Sequence, residues 1–199
     1  MKNLSSTPEI ILASSSIYRQ RLLQQIGLDF QAISPEVDEA IVQKDLSLTS
    51  IQIVELLAKQ KSKTVADSHP GSIVIGSDQA VEFDGETIGK PGSREKNIEL
   101  LTRLCGKRHR LITAVCIIHQ QTCYTFTDQT KLTMRSLTQA EIIRYVERDQ
   151  AFDCAGGYRW EDSGITLFEK IETEDHAAIL GLPLIRLVTV LRSLGIAIP

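Results

Sequence analysis

The alternation of short apolar segments with segments of helical periodicity constrains the fold more than any other feature of this sequence. Residues 9–13 are apolar after the first position, as expected for a buried strand. Tyr18, Leu22 and Ile26 then recur at helical spacing. Gly27 follows them, and glycine is typical of a helix end. The chain is therefore predicted to begin with a strand, a serine-rich turn and a helix.

The same alternation continues through the rest of the chain. Segments rich in β-branched residues predict strands, and capping residues followed by amphipathic runs predict helices. The predicted strands are residues 29–34, 72–76, 109–119, 122–134 and 165–171, and the predicted helices are residues 49–66 and 93–105 and two more that begin near Thr138 and Pro183. Asp84 and Gly85 predict a hairpin turn. These elements predict one α/β domain over residues 1–199, with a mixed extended sheet flanked by helices.

Composition and charge argue against several functions. With 42% hydrophobic and 24% charged residues, the chain has a globular rather than a disordered composition. Its net charge of −3 argues against the basic surface that nucleic-acid binding needs. No apolar run approaches the roughly 20 residues of a membrane span, and the four cysteines lack the spacing of a zinc site. We expect a cytoplasmic protein that binds neither nucleic acid nor membranes.

The serine-rich turn after the first strand is a candidate phosphate site. Ser14, Ser16 and Arg19 lie where a helix begins, and the free amides and dipole of a helix N-terminus favour an anion. The alternative is structural, with a serine that caps the helix and an arginine in solvent. Both interpretations fit the sequence.

Two groups of carboxylates are candidates for metal binding and proton transfer. Glu36, Asp38 and Glu39 repel one another unless a hard cation such as Mg²⁺ or Mn²⁺ lies between them, although an exposed acidic loop fits equally well. Asp78 follows a predicted buried strand, where partial desolvation suits a base or a metal ligand. The sequence does not decide which of residues 36–39 contacts an ion.

Lys61 and Lys90 are candidates to neutralise phosphate charge. Lys61 lies on a predicted helix and Lys90 on a predicted loop. Taken singly, each fits a solvated surface charge as well as a phosphate contact. The four histidines have no metal-ligand spacing and receive no role.

Several short motifs, in this order, resemble the Maf family from end to end. They are Leu12-Ala13-Ser14-Ser15-Ser16, Glu36-Val37-Asp38-Glu39, Leu57-Ala58 with Lys61, Gly76-Ser77-Asp78-Gln79, Gly89-Lys90-Pro91 and Gly181-Leu182-Pro183-Leu184. The resemblance implies an ITPase-like fold with two lobes around a nucleotide-binding cleft. It also implies a divalent metal, hydrolysis of nucleoside triphosphates to monophosphate and pyrophosphate, a homodimer and a link to cell-division arrest.

The resemblance also implies roles for the candidate residues. It implies that Asp78, Lys61 and Lys90 are the catalytic residues. Asp78 and the acidic residues Glu36, Asp38 and Glu39 would bind the metal. Ser14, Ser16 and Arg19 would bind the substrate phosphates. One departure is Gln20, which stands where the family often has a second arginine. Its absence places more of the phosphate binding on Arg19, the two lysines and the metal.

A second set of residues consists of Gly76-Ser77-Asp78-Gln79, Cys154-Ala155-Gly156, Glu161 and Gly164-Ile165-Thr166-Leu167-Phe168. This set resembles the 7-methyl-GTP pyrophosphatase branch of the family. The resemblance implies that Tyr18, Gln79 and Glu161 are the specificity residues, whereas the structural alternative is that Tyr18 packs in the core and Glu161 lies in solvent. A 7-methylguanine ring is cationic, so the Tyr18 ring would contribute about 0.5–2 kcal/mol by a cation–π contact. Glu161 would accept hydrogen bonds from the guanine edge. The alternatives are a dTTP/UTP-type pyrophosphatase and a non-catalytic, nucleotide-binding regulator of septum formation.

Overall fold

A computed structural model describes residues 8–43, 45 and 47–198 of the chain. The strands are β1 (Ile10–Ala13), β2 (Gln31–Ala32), β3 (Ile73–Phe83), β4 (Glu86–Ile88), β5 (Arg108–His119), β6 (Thr122–Met134) and β7 (Phe168–Glu172). The helices are α1 (Ile17–Gln25), α2 (Glu39–Gln43), α3 (Ser50–Ala66), α4 (Arg94–Leu104), α5 (Gln139–Asp149) and α6 (Leu184–Ser193). Three short 3₁₀ turns cover Ala155–Gly157, Gly164–Leu167 and His176–Leu180.

One mixed sheet contains all seven strands. Its order is β2-β1-β3-β5-β6-β7, and β4 pairs with β3. The first three strands of this order are parallel, and β5, β6 and β7 are added antiparallel. Helices pack against the sheet, which confirms the predicted α/β class with a mixed extended sheet.

The helix starts lie where the sequence predicts them because their capping groups are local. Thr49 and Gln52 form a capping box at the start of α3, and Thr138 and Glu141 form one at α5. The predicted hairpin turn joins β3 to β4, and both Asp84 (φ 52°) and its neighbour Gly85 (φ 82°) have the positive φ that such a turn needs.

Three predicted strands have different bounds in the structure. The strand predicted at 29–34 is only Gln31–Ala32, an exposed edge pair beside β1. The strand predicted at 72–76 continues to Phe83 because β5 pairs with it over nearly its whole length. The strand predicted at 165–171 begins only at Phe168, because its partner β6 ends at Met134.

The acidic segment is not entirely a loop. Glu36 and Asp38 do lie outside regular structure, but Glu39 begins α2, a short helix that the sequence did not predict. Val42 of α2 packs with Leu57 of α3 in a small apolar cluster. This packing places Glu39 next to α3.

Two large apolar clusters occupy opposite ends of the long sheet. One joins β1, α1 and α6, with Leu12, Leu23 and Leu191 at its centre. The other joins α4, α5 and the far ends of β3, β5 and β6, and includes Leu101 and Val146. No helix in the described part of the chain has both the length and the apolar character needed to span a bilayer.

Candidate active site

Along one of its two edges, strand β3 pairs with other strands only near its two ends. The candidate site surrounds the unpaired residues between them. On this edge β1 pairs with residues 73–76 and β4 pairs with residues 81–83. Between them, residues 77–80 have no strand partner among the described residues, while β5 covers the other edge. Asp78 and Gln79 lie in this gap. Ligands of α/β sheets gather where such a gap opens beyond a parallel strand.

On one face of the sheet, Asp78 belongs to a buried ion cluster with α3. Lys61 Nζ lies 2.6 Å from Asp78 Oδ1 and 2.7 Å from Glu39 Oε1. Asp78 and Lys61 are 6% and 7% exposed, so both charges are withdrawn from water. Lys61 therefore holds two carboxylates, one from a strand and one from α2.

A glycine on β3 allows this cluster to form. A Cβ atom on Gly76 would lie 2.5 Å from the Ala58 carbonyl oxygen and 2.7 Å from the Ser62 amide nitrogen. Such distances are far below van der Waals contact, so α3 can approach β3 this closely only because residue 76 has no side chain. The close approach brings Lys61, on the same helix, to Asp78, two residues further along β3.

The surroundings of Asp78 act on its acidity in opposite directions. Burial raises the pKa of the Asp78 carboxyl above its ordinary range, although the positive charges of Lys61 and Arg19 oppose the shift. Lys61 donates to Oδ1, and no described residue donates to the other carboxylate oxygen. A carboxylate with a raised pKa and an uncommitted oxygen suits proton abstraction.

The structure brings one of the three acidic-segment residues into the cluster. Glu39 faces Lys61, whereas Glu36 and Asp38 are exposed, and Asp38 Oδ1 accepts a hydrogen bond from the Ala40 amide at 3.1 Å. The described residues contain no group of three or more carboxylate, histidine or cysteine side chains arranged to hold a metal. Mg²⁺ is commonly bound by one or two carboxylates together with substrate phosphates, and Glu39 and Asp78 fit that donor set.

On the opposite face of the sheet, Gln79 contacts the 3₁₀ turn before α6. Its Nε2 donates to Thr113 Oγ1 and to the Ala178 carbonyl oxygen, both at 2.8 Å, and to the Ile179 carbonyl at 3.2 Å. Successive residues of a strand point to opposite faces, so Gln79 cannot share a face with Asp78. The amide nitrogen of Gln79 is thus used within the protein, which leaves its oxygen for a ligand.

Arg19 lies at the open edge and connects the two faces. Its Nε donates to the Gly181 carbonyl oxygen at 3.0 Å, and a terminal nitrogen donates to Ser14 Oγ at 3.3 Å. Burial lowers the pKa of Arg19, and the charges of Asp78 and Glu39 act against this shift. Gly181 accepts a second hydrogen bond from Ser77 Oγ at 2.7 Å, which fixes its carbonyl beside the gap.

One cavity of about 340 Å³ gathers six of the predicted residues. Its lining includes Ser16, Tyr18, Arg19, Gln79, Lys90 and Glu161. Lys90 reaches it from the exposed loop after β4. Ser16 is also the N-cap of α1, so the structural alternative for this serine holds alongside its place in the cavity. Ser14 is not among the lining residues, but its hydroxyl oxygen accepts the hydrogen bond from Arg19.

Tyr18 and Glu161 are electrostatically coupled. Desolvation by burial raises the pKa of the Tyr18 hydroxyl, and the negative charge of Glu161 raises it further. Desolvation also raises the pKa of the Glu161 carboxyl, with a contribution from Asp162. The half-buried Tyr18 ring and the exposed Glu161 carboxylate thus both line the cavity and act on each other electrostatically.

The cavity also contains residues that sequence reasoning did not select. Arg159 and Trp160 line it next to Glu161, and Tyr158 contributes a buried ring. Thr113 supports the site from β5, where its hydroxyl donates to the Ala178 carbonyl oxygen at 2.9 Å. The position of Trp160 directly before Glu161 was the one available signal in the sequence. Gln20, in place of a second arginine, donates to the Ser15 carbonyl oxygen at 3.4 Å.

Residues 9–194 match the sequence model of a family described as Maf-like protein. A 7-methyl-GTP pyrophosphatase from Xanthomonas axonopodis pv. citri is 41% identical over 96% of this chain and 100% of its own. One from Bdellovibrio bacteriovorus is 43% identical over 93% of this chain and 96% of its own. Among solved structures, a nucleoside-triphosphatase / dITP/XTP pyrophosphatase from Mycobacterium abscessus is similar, with a TM-score of 0.42 and 15% identity over 65% of this chain and 75% of that chain.

Proposed function

The chain belongs to the Maf family, and we propose that it hydrolyses 7-methyl-GTP to 7-methyl-GMP and diphosphate. The observation that carries this proposal is that Tyr18, Glu161 and Arg19 line one cavity together with Gln79 of β3. The two curated relatives that share about two-fifths of its residues bear the name of this activity. Base recognition, phosphate binding and water activation are assigned below in turn.

The charge around the base end of the cavity suits a cationic ring. Between residues 153 and 162 there are three carboxylates and one guanidinium. The guanidinium of Arg159 lies 2.7 Å from Asp153 Oδ1, so that carboxylate offsets part of its charge. Glu161 then remains to accept from the guanine edge, while Tyr18 offers a ring face to the positive charge.

The triphosphate would pass over the open edge of β3. Arg19 and Lys90 line the cavity, and Arg19 is also close enough to Asp78 to act on its pKa. The phosphates would thereby extend from the Gln79 face, where the base binds, toward the Asp78 face. Fixed cations along this route stabilise the charge that develops on phosphate oxygens during transfer.

Asp78 would remove a proton from the attacking water. The water oxygen forms a bond to the α-phosphorus, the bond from that phosphorus to the bridging oxygen breaks, and diphosphate leaves. Lys61 holds the Asp78 carboxylate through Oδ1 at 2.6 Å, which leaves the other oxygen to accept the proton. Lys90 would stabilise the departing diphosphate.

Glu39 and Asp78 are the residues that would hold a divalent cation together with the substrate phosphates. When bound, Mg²⁺ or Mn²⁺ would polarise the phosphate oxygens. Lys61 contacts only one oxygen of Asp78, so a cation would not have to displace the ammonium group from this carboxylate. Glu36 and Asp38 are exposed and form no group of three metal-ligating side chains with the described residues around them, so their part in metal binding remains a prediction.

Diphosphate release from 7-methyl-GTP, GTP, dTTP, UTP and CTP, with and without Mg²⁺ or Mn²⁺, tests the proposal. We expect 7-methyl-GTP to give the highest kcat/KM and a chelator to abolish turnover. A preference for dTTP or UTP would establish the other branch of the family. Binding of nucleotides without any diphosphate release would instead favour the regulator of septum formation.

The variant Glu161→Gln tests the base contact itself. It should reduce the preference for 7-methyl-GTP over GTP, because a neutral amide loses the charge-assisted acceptor. The variant Glu169→Gln removes an exposed carboxylate on β7, outside the cavity, and serves as the control. Equal preference in wild type and Glu161→Gln would show that the guanine contact is assigned wrongly.

A cytoplasmic location and a homodimer remain predictions.

A further inference from the structure

Trp160 lies at the base end of the cavity but has no role in the function proposed so far. The cavity that contains Arg19 adjoins a second one of about 380 Å³. Both are lined by Tyr18, Trp160, Glu161 and Leu180. These four side chains thus form the wall that the two cavities share, and two of the four are aromatic.

An aromatic cluster supports Trp160 from the protein side. The ring centroids of Trp160 and Phe168 are 5.9 Å apart, with an interplanar angle of 37°. Phe168 is itself buried and makes an edge contact with Tyr158 at 5.0 Å between ring centroids. A ring held in this way loses little conformational freedom when a ligand packs on it.

The charges next to Trp160 suit a positively charged ligand. Arg159 is paired with Asp153, whereas the exposed Glu161 forms no ion pair among the described residues, although the charge of Arg159 acts on it. Indole is the side chain with the strongest attraction for a cation over its face. A cationic ring between Trp160 and Tyr18 would therefore gain from two aromatic side chains and one carboxylate.

We propose that Trp160 is a second aromatic contact of the nucleobase and contributes to selection of a purine that carries positive charge. This inference rests on the proposed function, because it assigns a further specificity residue to the same cavity. Trp160 contacts the base, whereas Glu161 reads its edge. Leu180 lines both cavities and adds an aliphatic side chain to this wall.

The fluorescence of the protein provides a direct test of contact. Trp160 is the single tryptophan in the chain, so its emission reports only this position. Titration with 7-methyl-GMP, which cannot be turned over, should change the emission saturably, and GMP should require a higher concentration. Unchanged emission at concentrations of 7-methyl-GMP that inhibit turnover would overturn the assignment.

Two substitutions test the contribution to selectivity. Trp160→Leu should lower the ratio of kcat/KM for 7-methyl-GTP to that for GTP by about 2- to 30-fold, the range of one cation–π contact. Trp160→Phe should restore part of this ratio because it keeps an aromatic face. Tyr124→Leu removes an aromatic ring outside the cavity and should leave the ratio unchanged. Equal losses on both substrates in Trp160→Leu would show that Trp160 contributes packing alone.

The two proposals can fail separately. If the wild-type protein prefers 7-methyl-GTP but Trp160→Leu keeps the full preference, only the role of Trp160 is lost. If the wild-type protein prefers another nucleotide, the proposed function and the charge-selection role both fail. A change in Trp160 emission on binding of that nucleotide's monophosphate would then still support contact between Trp160 and the base. Unchanged emission would overturn that contact as well.

Discussion

Two ion pairs between a lysine of α3 and an aspartate differ in how far they are exposed to water. The pair formed by Lys61 and Asp78 is buried, and Glu39 adds a second carboxylate. The pair formed by Lys63 and Asp67, also involving α3, has a similar separation of 2.8 Å but both side chains are more than 60% exposed. Exposed ion pairs contribute little to the free energy of unfolding. In a buried ion pair, by contrast, the charge state of each partner depends on the other.

We predict that Asp78→Asn retains the fold but lowers kcat by roughly 10²- to 10⁴-fold, the usual contribution of a general base. The fold should persist because Lys61 keeps Glu39 as a partner at 2.7 Å. Steady-state kinetics with 7-methyl-GTP and the thermal unfolding midpoint check both parts. Asp67→Asn is the matched control and should change neither. Near-normal turnover in Asp78→Asn would exclude this carboxylate as the base.

The contact of α3 with β3 links the packing of two elements to the geometry of the site. Helix α3 lies on β3 and β5 through small residues, with Ala58 and Ala114 among its buried contacts. Gly76 is the point of closest approach. Lys61 is on the helix and Asp78 is on the strand. Any change in the distance between α3 and β3 would therefore change the geometry of the ion cluster.

Gly76→Ala should therefore impair both stability and catalysis. Its methyl group would meet backbone atoms rather than a flexible side chain, so overpacking should cost about 1–3 kcal/mol or more of the free energy of unfolding. Urea unfolding and kcat should both be measured. Gly89→Ala is the control for stability, since a Cβ there would meet nothing within 4 Å. Wild-type stability in Gly76→Ala would mean that α3 does not lie this close to β3.

For the molecule as a whole, His109 lies where the sheet meets the segment that carries the base end of the cavity. It is 2% exposed, its Nε2 is 3.0 Å from the Tyr158 hydroxyl, and its ring lies 5.7 Å from that of Phe168. Nδ1 has no partner among the described residues. Burial lowers the pKa of His109 from 6.5 to about 4.

This shift predicts that the protein loses stability as the pH falls. Between pH 6.5 and 4 the unfolded chain binds a proton at His109 that the folded protein does not, so the free energy of unfolding decreases. Between pH 7.5 and 5 the contribution of this group is about 2 kcal/mol.

Denaturant unfolding at both pH values, in wild type and in His109→Phe with Tyr158→Phe, measures the contribution. The second substitution avoids leaving the buried tyrosine hydroxyl without its partner. The double variant should have the weaker pH dependence, and His176→Gln, which changes an exposed histidine, should behave as wild type does. The same slope in the double variant and wild type would contradict the assignment to His109.

The sequence by itself determined the features that depend on neighbouring residues. The capping boxes at Thr49 and Thr138, the turn at Asp84 and the α/β class all follow from local hydrogen bonding and periodicity. The order of the motifs also predicted the family. The roles given to the site residues remain predictions.

Only the tertiary structure decided that β3 continues through residues 77–80, because these residues pair with positions of β5 that lie more than 30 residues later in the chain. It also decided that Asp78 and Gln79 lie at a gap between β1 and β4, because this gap depends on which strands pair with β3. The position of Trp160 beside Tyr18 likewise joins residues more than 140 positions apart. Local interactions act over a few residues of sequence, whereas these arrangements depend on which surfaces can be buried together.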